Sequence, residues 1–158
     1  MERAREALEL TQLDSDSVSR LTVPPHRDGI GLSFYEGFAL RGIRLDRVEP
    51  GFISCTFKVP PRLTDAKGNL SSGAIANLVD EVGGALVHVH GLPMKVSVDM
   101  SISYLATAKV NNELEITSRA LGQKGGYAGT IVLLKNKATG ELIAEGRHSL
   151  YGRLPSKI

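Results

Sequence analysis

Ile53, Cys55, Phe57 and Val59 alternate with Ser54, Thr56 and Lys58, the period-two pattern of a strand with one buried face. A preceding strand over 39–48 is expected to pair with it through the Glu49-Pro50-Gly51 turn. The cleanest alternation comes later, with Val96, Val98, Met100, Ile102 and Tyr104 set against Ser97, Asp99, Ser101 and Ser103. Asn111-Asn112 then turns the chain into Leu114, Ile116, Ser118 and Ala120. Gln123-Lys124-Gly125-Gly126 turns it into 127–135, and Lys137-Ala138-Thr139-Gly140 into 142–151. Links this short predict antiparallel neighbours, because parallel pairs need long crossovers. The expectation is two strands followed later by a four-strand meander.

Between these regions, 71–91 follows another rule. Ser71-Ser72 supplies an N-cap, and Gly91 followed by Pro93 supplies a stop. Ala74, Ile75, Ala76, Leu78, Val79, Val82, Ala85, Leu86, Val87 and Val89 leave no wide polar face, which predicts a helix buried on most sides. Gly83-Gly84 costs about 1 kcal/mol per glycine relative to alanine inside a helix, so another backbone is expected to press close there. A strongly curved antiparallel sheet of about six strands, wrapped round one long central helix, accommodates both patterns. That is an α+β class, the hotdog architecture. The first 28 residues stand apart as an N-terminal extension, with a short helix around 2–10, then Asp14-Ser15-Asp16-Ser17 and the Pro24-Pro25 break. Residues 29–158 are left for the domain itself.

Composition narrows the function. The 158 residues are 42% hydrophobic and 23% charged, which suits one globular domain. A net charge of +2 without a run of like charges argues against a nucleic-acid stripe or a polybasic membrane patch. The most apolar stretch, 74–89, carries Asn77, Asp80 and Glu81 in its middle, so no membrane span is expected. The single cysteine, Cys55, forms no internal disulfide, which points to a reducing compartment. The N-terminal acids Glu2, Glu6, Glu9, Asp14 and Asp16 are unlike a transit peptide. Ser156-Lys157-Ile158 differs by one residue from the Ser-Lys-Leu peroxisomal address, so the expected location is peroxisomal or cytoplasmic.

Asp80 is the most informative residue for chemistry. An unpaired carboxylate amid Leu78, Val79 and Val82 is costly, so it is either hydrogen-bonded or lines a solvent pocket. It is a candidate general base, or else an acid at a subunit seam bonded to main chain. Ser71, Ser72 and Gly73 open the same helix, where free N–H groups favour a developing oxyanion and also serve ordinary capping. Ser97 falls on the polar side of its strand with Asp99, Ser101 and Ser103, either holding a water or simply solvated. Cys55 reads as core. His88 and His90 face different directions, and His26 and His148 add no ligand spacing, so no metal site is expected. No Gly-x-Ser-x-Gly elbow is present. Lys124-Gly125-Gly126 and 135–137 offer cations and free amides, suited to phosphates or to ordinary exposed hairpins.

Two blocks carry a family likeness. Val-Ser-Val-Asp-Met-Ser-Ile-Ser-Tyr-Leu-Ala-Thr-Ala-Lys over 96–109, and Asn-Lys-Ala-Thr-Gly-Glu-Leu-Ile-Ala-Glu-Gly-Arg-His over 136–148, closely resemble the hotdog acyl-CoA thioesterases. The phenylacetate-pathway thioesterases are similar too, and the resemblance runs over about 40–152. It implies hydrolysis of acyl-CoA to free acid and coenzyme A, no metal or redox cofactor, and a homotetramer built as a dimer of dimers. It assigns Asp80 as general base or nucleophile and Ser97 as the residue that helps place the water. The oxyanion motif falls on Ser71-Ser72-Gly73, where Ser71 replaces a histidine and the Ser72 amide, or that of Gly73, would serve. A substrate-polarising asparagine falls on Asp65, with Asn69 close by. Coenzyme A contacts fall on Tyr104, Leu105, Ala106, Thr107, Ala108 and Lys109, on Gln123, Lys124, Gly125, Gly126 and Tyr127, and on Tyr151. Turnover and mere binding of an acyl-CoA or free acid by a non-catalytic module both remain open at this point.

Overall fold

From the N-terminus the chain forms α1 (Glu2–Leu8), α2 (Gln12–Ser19), α3 (Phe34–Leu40), β1 (Arg44–Glu49) and β2 (Phe52–Lys58). A one-turn 3-10 helix (Pro61–Leu63) leads to α4 (Ser72–His88), followed by β3 (Val96–Tyr104), β4 (Glu113–Lys124), β5 (Tyr127–Asn136) and β6 (Leu142–Tyr151). The computed structural model describes residues 2–25, 28–29, 31–88 and 95–152. The expected helix stop at Gly91 and Pro93, and the Ser156-Lys157-Ile158 terminus, lie outside the described residues. Among the described residues no helix is long and apolar enough to cross a membrane.

The chain divides into two compact units, Met1–Phe38 and Ala39–Ile158. In the first, α2 forms where the sequence suggested only a break. Thr11 caps it, its hydroxyl accepting from the Asp14 amide at 3.2 Å. A capping box opens α3: the Ser33 amide donates to Glu36 Oε2 at 2.6 Å, and Ser33 Oγ accepts from the Glu36 amide at 3.2 Å. That box explains why the strand expected over 39–48 starts only at Arg44, with helix before it.

In the second unit the six strands make one antiparallel sheet in the order β1-β2-β4-β5-β6-β3. The four-strand meander expected from the sequence is therefore corrected: β4, β5 and β6 form one, while β3 crosses to the far edge beside β6. Residues 105–112 do not turn back on β3. They run along the loop before α4, where the Leu70 amide donates to the Ala108 carbonyl at 2.8 Å and Val110 N to the Gly68 carbonyl at 2.9 Å. Asn111, at φ 68°, then swings the chain towards β2.

Helix α4 lies on the inner face of this sheet. Ala74, Ile75, Leu78, Val79, Val82, Leu86 and Val87 are buried, as are the inward Phe57, Leu114, Ile116, Val132, Leu134, Ile143 and Leu150 of β2, β4, β5 and β6. Each Val, Leu, Ile and Phe among them contributes roughly 1.5–3 kcal/mol by leaving water. Two glycines allow the close approach. A Cβ on Gly146 of β6 would sit 2.5 Å from Val79 Cγ1, and one on Gly83 would sit 2.8 Å from His148 Nδ1 and 2.9 Å from Thr130 Oγ1. At Gly84 the nearest atom would be Leu150 Cδ2 at 3.8 Å, so only the first glycine of the pair is required by packing. Burial on most sides is corrected as well. An open sheet covers one side of α4, and Ala76, Asn77, Asp80, Glu81, Gly84 and Ala85 keep some exposure on the other.

Candidate active site

Asp80 sits midway along α4, on the edge of that open face, with its side chain 39% exposed. Its Oδ1 accepts the Ser97 hydroxyl at 2.6 Å and lies 3.2 Å from His148 Nε2. His148 Nε2 is also 2.9 Å from Ser97 Oγ, so the three side chains close a triangle. The carboxylate reaches solvent while the imidazole behind it is wholly enclosed.

A slip in the β3–β6 ladder aims Ser97 at this point. Ser97 stands opposite Leu150 and Asp99 opposite Ser149, leaving Val98 as an extra residue. Leu150 is buried against the helix side, so Ser97 faces the helix with it. The expectation that Ser97 shares a face with Asp99, Ser101 and Ser103 is thus corrected, because one bulged residue inverts the alternation. His148 faces inward from β6, with Met100 and Thr130 as cross-strand neighbours. Burial holds its pKa below the usual imidazole value, against the opposing pull of the Asp80 charge. His148 is a site residue that metal-ligand spacing does not reveal. The signal was there: a polar residue at an inward position of a strand whose alternate residues, Ala144, Gly146 and Leu150, are apolar.

A second group of candidates gathers at the start of α4. Ser71 caps the helix, its hydroxyl accepting from the Ala74 amide at 3.3 Å, while Ser72 and Gly73 are exposed. The Asp65 carboxylate is turned into its own loop, accepting Lys67 N at 2.8 Å, Asn69 N at 2.9 Å and Asn69 Nδ2 at 3.2 Å. The hydrogen bonds from Asn69 and then Lys67 hold its pKa below the usual carboxylate range. Lys109 bridges to Asn69, and Tyr104 Oη donates to the Ser72 carbonyl at 3.4 Å, so the 104–109 segment joins this group.

The third group lies at the β4–β5 hairpin. Tyr127 and Tyr151 are cross-strand partners with ring centroids 5.0 Å apart, and the buried Lys95 donates its ammonium to the Gly126 carbonyl at 3.0 Å. A cleft of about 320 Å³ opens here, lined by residues that include Gln123, Lys124, Tyr127 and Ser149, and Asp80 does not line it. Cys55 is core, its thiol pushed up to about 11 chiefly by burial and then by the Asp46 charge, which removes it as a nucleophile.

The thioesterase superfamily model matches residues 67–127, which span α4, β3 and all of β4. Human acyl-coenzyme A thioesterase 13 is 43% identical over 109 residues, covering 68% of this chain and 77% of that protein. The chain belongs to the thioesterase superfamily. A zebrafish member of this superfamily, thioesterase superfamily member 2, superposes with a TM-score of 0.68 at 37% identity, over 72% of this chain and 84% of its own. The PaaI protein of the E. coli phenylacetic acid degradation operon shares the fold, with a TM-score of 0.67 at 16% identity over 75% and 91% of the two chains. The superfamily match therefore includes Asp80, Ser97 and the start of α4, while His148 and Tyr151 lie beyond its boundary.

Proposed function

We propose that this thioesterase hydrolyses acyl-CoA to free acid and coenzyme A, with Asp80 as the general base. The observation that carries the reading is the half-open Asp80 carboxylate, held from one side by Ser97 and His148 and free on the other. A water reaching that free side loses its proton to Asp80 as it attacks the thioester carbon. The carbonyl oxygen gains charge at the α4 start, where the exposed Ser72 or Gly73 amide donates to it. The tetrahedral intermediate collapses, the carbon–sulfur bond breaks, and coenzyme A departs as thiolate. The nucleotide end is read by Tyr104, Leu105, Ala106, Thr107, Ala108 and Lys109 and by the hairpin of Gln123, Lys124, Gly125, Gly126 and Tyr127 with Tyr151. Lys109 and Lys124 meet phosphate.

One helix cannot supply both the amide and the base. Asp80 lies eight residues beyond Ser72, roughly 12 Å along the axis at 1.5 Å per residue. The thioester therefore lies between two copies, with the amide from one and Asp80 from the other. Two surfaces support this. The open α4 face carries the small residues Ala76, Gly84 and Ala85, and the edge strand β3 exposes Val96, Val98 and Met100, at 65%, 48% and 38%. Pairing these surfaces gives a dimer, and two dimers give the homotetramer.

Ser71 and Asp65, where the family motif has histidine and asparagine, are both occupied locally, one as a cap and one within its loop. They favour the second reading, a module that holds acyl-CoA without cleaving it. Thiol release over a panel of aliphatic and aromatic acyl-CoA substrates separates the two. Turnover that falls at least about 100-fold in Asp80→Ala is expected; saturable binding without turnover in the parent protein would leave the module.

A further inference from the structure

The imidazole of His148 has one side in the active site and one side sealed in the core. On the active-site side, Nε2 meets Asp80 Oδ1 at 3.2 Å and Ser97 Oγ at 2.9 Å. The Asp80 carboxylate only accepts, and the Ser97 hydrogen is already given to it at 2.6 Å. Nε2 must therefore carry the ring proton for these contacts to be favourable. A neutral imidazole protonated at Nε2 presents a bare, accepting Nδ1 on the sealed side, and that atom has no hydrogen-bond partner among the described residues.

A donor stands beside it. Thr130 of β5 is the cross-strand partner of His148, on the same face of the sheet. Its hydroxyl is also buried and without a partner among the described residues. Both atoms hang over the same point of α4: a Cβ on Gly83 would be 2.8 Å from Nδ1 and 2.9 Å from Thr130 Oγ1. A buried hydroxyl and a buried ring nitrogen each lack what the other offers, and both lie within 3 Å of one point above Gly83.

We propose that Thr130 is a positioning residue for this site, its hydroxyl donating to His148 Nδ1 and so fixing the imidazole as the Nε2–H tautomer that holds Asp80 and Ser97. Gly83 provides the room in which the pair meets. The inference rests on the hydrolytic reading for its effect on rate, but the tautomer belongs to the resting protein and is read without substrate.

Nitrogen-15 spectra of histidine-labelled protein test it, with the His148 signals assigned by their loss in His148→Gln. The unaltered protein is expected to show a bare Nδ1 and a protonated Nε2; a protonated Nδ1 overturns the proposal before any variant is made. Thr130→Val keeps the shape and removes the donor, and is expected to mix the two tautomers and lower kcat about tenfold with KM little changed. Thr130→Ser, which keeps the hydroxyl, is expected to restore both. A hydroxyl that only filled space would leave tautomer and kcat untouched in Thr130→Val, and that result refutes the positioning role. Absence of turnover in every form, with the tautomer behaving as described, would instead refute the hydrolytic reading and leave the Thr130–His148 bond standing.

Discussion

The Ser97 hydroxyl donates to Asp80 at 2.6 Å from a strand position that strict alternation would turn away from the helix. Ser97 and Met100, three residues apart, both face inward, because Val98 is the surplus residue of a bulge. The site is assembled by a local slip of register.

That relationship separates Ser97 from its neighbours in sequence. Ser97→Ala removes the donor that fixes the Asp80 carboxylate, and thiol-release kinetics are expected to show kcat down by about 10- to 100-fold with KM near the parent value. Ser101→Ala and Ser103→Ala, whose side chains point to the other face, are expected to leave kcat as it was. Equal losses in all three would mean that the Ser97–Asp80 bond has no special role.

The two helix glycines part company in the same way. Gly83→Ala places a methyl against the enclosed imidazole and the Thr130 hydroxyl, neither at the end of a flexible chain. It is expected to destabilise the protein by about 1–3 kcal/mol despite the better helix former. Within its own chain Gly84→Ala meets only Leu150 Cδ2 at ordinary contact distance, so its effect is expected to fall on the pairing of copies rather than on the fold. The urea unfolding midpoint, lowered in Gly83→Ala, and the solution mass, shifted towards the single chain in Gly84→Ala, check both.

Much of this was legible in the chain. The alternation over 53–59, the turn before 142–151 and the apolar run after Ser71 locate strands and helix to within a few residues, because burial of one face and turn chemistry write themselves directly into sequence. Asp80 stands out because a carboxylate amid Leu78, Val79 and Val82 needs a reason. What the pattern hides is relational. The partner of β3 depends on where the 105–112 segment spends its hydrogen bonds, and the facing of Ser97 depends on a single unpaired residue. His148 has no metal-ligand spacing or motif of its own to mark it. Its meaning comes from Ser97 and Asp80, 51 and 68 positions away in sequence.

The buried imidazole also sets a pH dependence. Burial lowers the His148 pKa in the folded chain from its ordinary 6.5, so the unfolded chain takes up a proton first as the medium is acidified. The stability contributed by the neutral ring is complete above 6.5 and is lost as pH falls from there towards the lowered folded value. Asp65 does not act in this window: its depressed pKa contributes stability above 3.8 that is lost only as pH falls through its still lower folded value. The midpoint of thermal unfolding is therefore expected to drop between about pH 7 and pH 5 in the parent protein, and His148→Gln is expected to flatten that drop. An equally steep profile in the variant would place the titrating group elsewhere.

Amide and base are expected to come from different subunits. Ser72 is the first residue of α4, where proline is well tolerated because that N–H has no helical partner and the fixed φ suits the helix start. Ser71 before it is the N-cap, a position with the extended backbone that precedes proline. Ser72→Pro therefore deletes one amide while sparing the fold, and with that amide as oxyanion donor kcat is expected to fall by about 10²–10³. Asp80→Ala, in a separate preparation, removes the carboxylate proposed as the base. If amide and base come from different copies, mixing the two variants under conditions that exchange subunits creates pairs with one intact site. Statistical pairing then restores roughly a quarter of the parent activity, although each variant alone is nearly silent. A mixture as inactive as its components would mean that both groups act within one chain, and the placement of the thioester between copies would have to be abandoned.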